Sequence, residues 1–247
     1  MIQSHGVSDV GCVRTKNEDR IFLAEELGVF ILSDGMGGHT HGEMAAELAI
    51  STMRHYLESS QDRLEVTWPF GYNFDLSVDA NRVATAIQLA NRQVWKQAEH
   101  APEYAGMGTT IAAAIVNGSK ITIGNVGDSR VYLWQSDVLR QLTIDDTWVN
   151  AISGRGGPQI DVPRNLLTQA AGSKDLVDVH TTEAEIGNGD VVLLCSDGLY
   201  GLVSDAEIAQ SLGANKSLSA TAADLLRIAK SAGGEDNISI ILFAQEG

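Results

Sequence analysis

The chain has 247 residues, 44% of them hydrophobic, with 32 acidic against 17 basic side chains and a formal net charge of −15. That balance argues against nucleic acid or an anionic membrane as partner, and two cysteines, Cys12 and Cys195, are too few for a disulfide framework. No apolar run approaches the roughly 18 residues of a membrane helix and Met1 to Gly6 lacks the pattern of a signal peptide, so a cytoplasmic protein with one domain over 1–247 is expected, with nothing demanding more than a monomer.

The first chemical feature along the chain is Arg14-Thr15-Lys16-Asn17-Glu18-Asp19, one guanidinium and two carboxylates just before a strand. Alone it reads as a solvated, charged loop. Residues 29–32 form an apolar, β-branched run and predict a strand. Met44, Leu48, Met53 and Leu57 lie close to one face of a helix over 42–57. Val83, Ile87, Ala90 and Val94 keep the spacing of a second helix. Between the two helices, residues 59–79 read as irregular. Residues 110–116 and 120–123 are strands near enough around Gly118 for a hairpin, and 130–134 follows as another. A second irregular stretch, rich in Gly and Pro, covers 145–164. Residues 190–194 and 238–242 complete the strands, and a helix over 218–230 starts from Ser217 or Ser219 as its cap. Grouped hairpin strands with paired helices between them predict an antiparallel α+β architecture.

The informative pattern is where the apolar strands stop. Four strand ends carry an aspartate beside Gly or Asn: Asp34-Gly35, Gly127-Asp128, Asp197-Gly198 and Asp236-Asn237. Each alone is a turn signal. Together they can converge at one edge of the sheets, and such a cluster of like charges is costly unless cations neutralise it. Ligands that are all oxygen select hard ions such as Mg²⁺ or Mn²⁺. His39 and His41 read as loop or helix-start residues, and Cys195 as a buried small residue. A phosphate ester would be repelled by the net charge, so bound cations and Arg14, whose fork suits phosphate, must reverse the field locally.

In order along the chain, Arg14-x-x-x-Glu18-Asp19, Ser33-Asp34-Gly35-Met36-Gly37-Gly38-His39, Gly108-Thr109-Thr110, Gly127-Asp128-Ser129-Arg130, Ser196-Asp197-Gly198-Leu199 and Asp236-Asn237 resemble the metal-dependent type 2C protein serine/threonine phosphatases, and in particular their compact bacterial members. The resemblance runs from about Ser8 to Leu242. It implies a four-layer α+β sandwich, two packed antiparallel sheets with helices on both outer faces. It further implies that Asp34 bridges two Mn²⁺ or Mg²⁺ ions, with Asp197 and Asp236 completing the first ion's protein ligands. Glu18 and the carbonyl of Gly35 serve the second, and Asp128 with Asp197 a weaker third. Arg14 binds the substrate phosphate, while Asp19 and Asn237 support the ligands. The implied reaction is hydrolysis of phosphoserine or phosphothreonine in proteins by a hydroxide shared between two ions, without a phosphoenzyme. A Ser/Thr kinase is the implied counterpart.

Two departures stand out. Met36 occupies the position where some members have a histidine proposed as general acid. The usual Asp-His-Ser appears as Asp145-Asp146-Thr147, and residues 148–161 are the expected substrate flap. A phosphoprotein-binding pseudophosphatase and a phosphatase for small metabolites are the competing readings; the first should have lost a ligand among Asp34, Asp197 and Asp236, and all three are present.

Overall fold

Two antiparallel sheets lie face to face in the computed structural model, which describes residues 1–37, 41–61, 66–153 and 166–245. In spatial order the first sheet contains β1 (Ile2–Asp9), β11 (Ile238–Gln245), β10 (Val191–Cys195), β7 (Arg130–Gln135) and β8 (Val138–Gln141). The second contains β2 (Asp19–Ala24), β3 (Val29–Met36), β5 (Ile111–Asn117), β6 (Lys120–Val126) and β9 (His180–Glu185), with the short β4 (Gly108–Thr109) added to the end of β3.

Period-two alternation along the interior strands sorts the core into layers. From β3, Phe30 and Leu32 face the first sheet and meet Val131, Leu133, Val192, Leu194, Ile241 and Phe243. Phe30 and Phe243 stack across this gap with ring centroids 4.1 Å apart. The opposite faces of the same strands bury Val29 and Ile31 under α1 (His41–Ser59) and α2 (Val78–His100), and Leu193, Cys195, Ile240 and Leu242 under α5 (Asp205–Leu212) and α6 (Leu218–Ser231). The result is the expected four-layer α+β sandwich. Two short helices, α3 (Trp148–Ser153) and α4 (Asp197–Tyr200), and two 3-10 turns, Glu25–Leu27 and Pro102–Tyr104, complete the described elements.

The helix expectations hold, with α2 longer than its apolar stripe because Ser77 accepts from the Ala80 N–H and caps it five residues earlier. Ser217, rather than Ser219, caps α6. The stretch 145–164 is not wholly irregular, since α3 falls within it; the flap core Gly154 to Pro158 lies outside the described residues. β3 also continues past Asp34, because Gly35 and Met36 pair with Thr109 and Gly108 of β4. Among the described residues, no helix is long and apolar enough to cross a membrane.

Candidate active site

Each of the four aspartates arrives at the same edge by a different local device. Asp34 is carried on β3, where its N–H donates to Thr110 Oγ1 at 3.0 Å and its carbonyl accepts from the Thr110 N–H at 2.8 Å. Asp128 follows Gly127, whose φ of +93° turns the chain from β6 into β7. Asp197 opens α4 directly after β10. There Gly198 lies so near the start of β11 that a Cβ on it would stand 2.0 Å from the Asn237 carbonyl oxygen. Asp236 precedes β11 and accepts the Asn237 N–H at 2.8 Å.

Asn237 sews the Arg14–Asp19 segment to this edge. Its side chain donates to the carbonyls of Val10 and Lys16 at 3.0 and 2.8 Å and accepts the Glu18 N–H at 2.8 Å. Asp19 sits opposite Asp34 in the β2–β3 register and is buried, accepting from Ser196 Oγ at 2.9 Å.

The outcome is a cleft of about 300 Å³ lined by Arg14, Glu18, Asp34, Gly35, Asp128, Asp197, Asp236 and Asn237, together with Met36, Gly37, Thr110 and Leu167. Of the residues expected to bind metal or phosphate or to support those ligands, all line it except the buried Asp19. The second sheet contributes Glu18 and Asp34, the first contributes Asp197 and Asp236, and Asp128 sits in the turn from β6 to β7 that links the two.

Like charge and burial dominate the electrostatics. Burial, then the neighbouring Asp19, Asp197, Asp128 and Asp236, pushes the Asp34 carboxyl well above its ordinary range. Burial, with Asp197 nearby, lifts Asp128 to about 7. Burial lifts Asp19 to about 6 despite the hydrogen bond from Ser196. Asp197 is raised as well, by burial and then by Asp236. Among the described residues, Arg14 is the basic side chain lining the cleft, and it pairs with Asp236 at 2.7 Å.

The donor set fits a hard divalent ion. It is all oxygen, and two buried carboxylate oxygens, Asp19 Oδ1 and Asp197 Oδ1, have no hydrogen-bond partner. As the side chains stand, no three His, Cys, Asp or Glu groups among the described residues form a closed cage; Asp236 is turned toward Arg14.

Other expected residues fall elsewhere. His41 opens α1 with its ring against Tyr104, and His39 lies outside the described residues. Burial pushes the Cys195 thiol up, which suits a core residue and not a nucleophile. Of the hydroxyls that brace the cluster, Ser196 and Ser129 stand within the motifs, and Ser239, whose N–H donates to Ser196 Oγ at 3.0 Å, is marked by no local signal. Thr110 did lie in a noted motif, and its Oγ1 joins Asp34 to Ser129 Oγ, 2.6 Å away.

Residues 13–242 match the family described as protein phosphatase 2C. The chain is 35% identical to a serine/threonine phosphatase of Listeria innocua, over 95% of this chain and 92% of that one. The solved serine/threonine phosphatase PstP of Mycobacterium tuberculosis superposes with a TM-score of 0.84 at 32% identity, covering 100% of this chain and 99% of that one. The catalytic domain of PstP in complex with two manganese ions gives a TM-score of 0.81 at 31% identity, covering 98% and 97%. The chain belongs to the protein phosphatase 2C family of enzymes.

Proposed function

We propose that this phosphatase hydrolyses phosphoserine and phosphothreonine monoesters in proteins, as one catalytic domain over residues 1–247 acting in the cytoplasm opposite a Ser/Thr kinase. The observation that carries the reading is the convergence of five carboxylates from two sheets on one cleft with a guanidinium among its walls. Asp34, Asp197 and Asp236 would hold one Mn²⁺ or Mg²⁺ ion, and Asp34, Glu18 and the Gly35 carbonyl a second. Asp128 with Asp197 would take a weaker third. When bound, such ions supply a water activated near neutral pH and offset charge on the phosphoryl oxygens.

The chain's own groups do the rest. Arg14 exchanges its Asp236 partner for two phosphoryl oxygens, which its planar fork matches. Asp19 and Asn237 hold the Glu18 backbone and the β2–β3 edge in register. Met36, at the position of the general acid in some relatives, has no proton to give, so protonation of the leaving alkoxide falls to solvent in the cleft.

Phosphate release from a phosphothreonine peptide, followed in EDTA, in Mg²⁺ and in Mn²⁺, tests the reading alongside Asp236→Asn. Turnover should require a divalent ion and fall at least about a hundred-fold in the variant. Full activity in EDTA, or in D236N, would refute it.

A further inference from the structure

Asp128 is braced from behind by a chain of side chains that the reaction itself does not use. Tyr200, at the end of α4, donates its phenol O–H to the backbone carbonyl of Asp128 at 2.9 Å. The Tyr200 ring lies under the guanidinium of Arg130, whose Cζ stands 3.7 Å from the ring centroid.

Arg130 cannot wander from that ring. Its Nε and Nη2 donate to Asp145 Oδ2 at 3.0 and 2.7 Å, and its Nη1 donates to the Tyr132 hydroxyl at 2.8 Å. Tyr132 in turn donates its O–H to Asp205 Oδ1 at 3.0 Å. Asp145 is fixed in turn by Gln141 Nε2 at 2.7 Å. Three guanidinium N–H groups are thus committed to Asp145 and Tyr132 and the plane to the Tyr200 ring, so Arg130 is held as structure where it borders the cavity of about 410 Å³ that shares Asp128 and Asp197 with the cleft.

The loop needs such a brace. Gly127 has a backbone conformation that L side chains rarely adopt, so nothing intrinsic to the sequence fixes the direction in which Asp128 leaves the turn. One side is held by Asp146, whose Oδ2 accepts the Gly127 N–H at 2.9 Å and whose N–H donates to the Gly127 carbonyl at 2.9 Å. The other side is held by the Tyr200 hydroxyl on the Asp128 carbonyl, with Ser129 Oγ tied to Thr110 Oγ1 one residue further on.

We infer that Tyr200 is a positioning residue that sets the Asp128 carboxylate against Asp197, with Arg130 holding the Tyr200 ring in place. The inference rests on the reading that Asp128 and Asp197 share a divalent ion. Tyr200→Phe removes the anchoring hydroxyl and keeps the ring for Arg130 to cover. Arg130→Lys keeps the charge and loses both the fork and the flat stack.

The experiment is calorimetric titration of the full chain with Mn²⁺ alone, paired with steady-state hydrolysis of p-nitrophenyl phosphate. Y200F should weaken uptake of the weakest-held ion about ten-fold and move the Mn²⁺ activation midpoint by the same factor. KM for the aryl phosphate at saturating Mn²⁺ should not change. R130K should shift the isotherm the same way, and it decides alone if Y200F does not fold. A Y200F isotherm that overlays the wild type overturns the inference, as does a lost kcat at saturating Mn²⁺ with unaltered ion uptake. A wild-type chain that takes up no Mn²⁺ overturns the metal reading itself, and this inference with it.

Discussion

Arg14 pairs with Asp236 while 55% of its side chain stays exposed. An exposed ion pair contributes at most about 1 kcal/mol to stability, so the arrangement is better explained by what the guanidinium can exchange its partner for. Arg14→Ala is expected to raise KM for a phosphothreonine peptide at least about ten-fold while the denaturant midpoint barely moves. Arg14→Lys should recover little, because a point charge does not reproduce the fork. Initial-rate kinetics and urea melts on the two variants separate these effects; an unchanged KM in R14A would remove Arg14 from the substrate. Gly198 acts at the same scale through space rather than charge. A methyl there meets the Asn237 carbonyl oxygen at 2.0 Å, and Asn237 holds Val10, Lys16 and Glu18. Gly198→Ala should therefore cost about 1–3 kcal/mol by overpacking and lower turnover as well, read by the same two assays.

At the scale of elements, what the sequence disclosed and what it hid divide along the sheets. The six strands read from apolar runs, β3, β5, β6, β7, β10 and β11, are the interior strands of the two main sheet paths, buried on both faces. The edge strands β1, β8 and β9 carry no such run, and β2 shows only as a strand beginning beside Asp19. Their residues, such as Gln3, Ser4 and His5 in β1 or Thr181, Thr182 and Glu183 in β9, face water on one side and carry little hydrophobic signal. Their pairing is imposed by the neighbouring strand, which no local pattern reveals. The site was more legible than the edges because an Asp-Gly or Asp-Asn pair interrupts an apolar run visibly, whereas Ser196 or Tyr200 gains its role only from what the fold sets opposite it. α5, absent from the elements expected from the sequence, nevertheless carries a start signal. Ser204 and Glu207 form a capping box at the start of α5, the side chain of each bonded to the other's backbone N–H. Ser204→Ala should cost about 1 kcal/mol in a chemical melt and leave kcat/KM at saturating Mn²⁺ nearly untouched, since α5 packs on the outer face of the first sheet and reaches toward the cleft through Asp205 at the far end of the Tyr132–Arg130 chain. A change in kcat/KM would show that the start of α5 acts on Asp128 through that chain.

At the scale of the whole molecule, the cleft lies where the two sheets meet, so an ion bound there joins them. Without an ion, the carboxyls of Asp34, Asp128, Asp197 and Asp19 stand above their ordinary range, with Asp128 at about 7 and Asp19 at about 6. The folded chain then keeps protons that the unfolded chain has released. The stability these groups contribute is complete below about pH 4 and is lost as the pH rises through about 6 and 7. In EDTA, the free energy of unfolding should fall by a few kcal/mol between pH 5 and pH 8, and Asp128→Asn should flatten part of that slope. Bound Mn²⁺ requires deprotonated ligands, so its affinity rises over the same interval. An ion at a hundred times its dissociation constant adds about 2.7 kcal/mol. Urea melts from pH 5 to pH 8, with EDTA and with Mn²⁺, should thus diverge as the pH rises, the metal-free curve falling while the Mn²⁺ curve holds or climbs. Parallel curves would mean that the carboxylates do not bind the ion; a metal-free curve that rises with pH would mean that they do not hold their protons in the folded state.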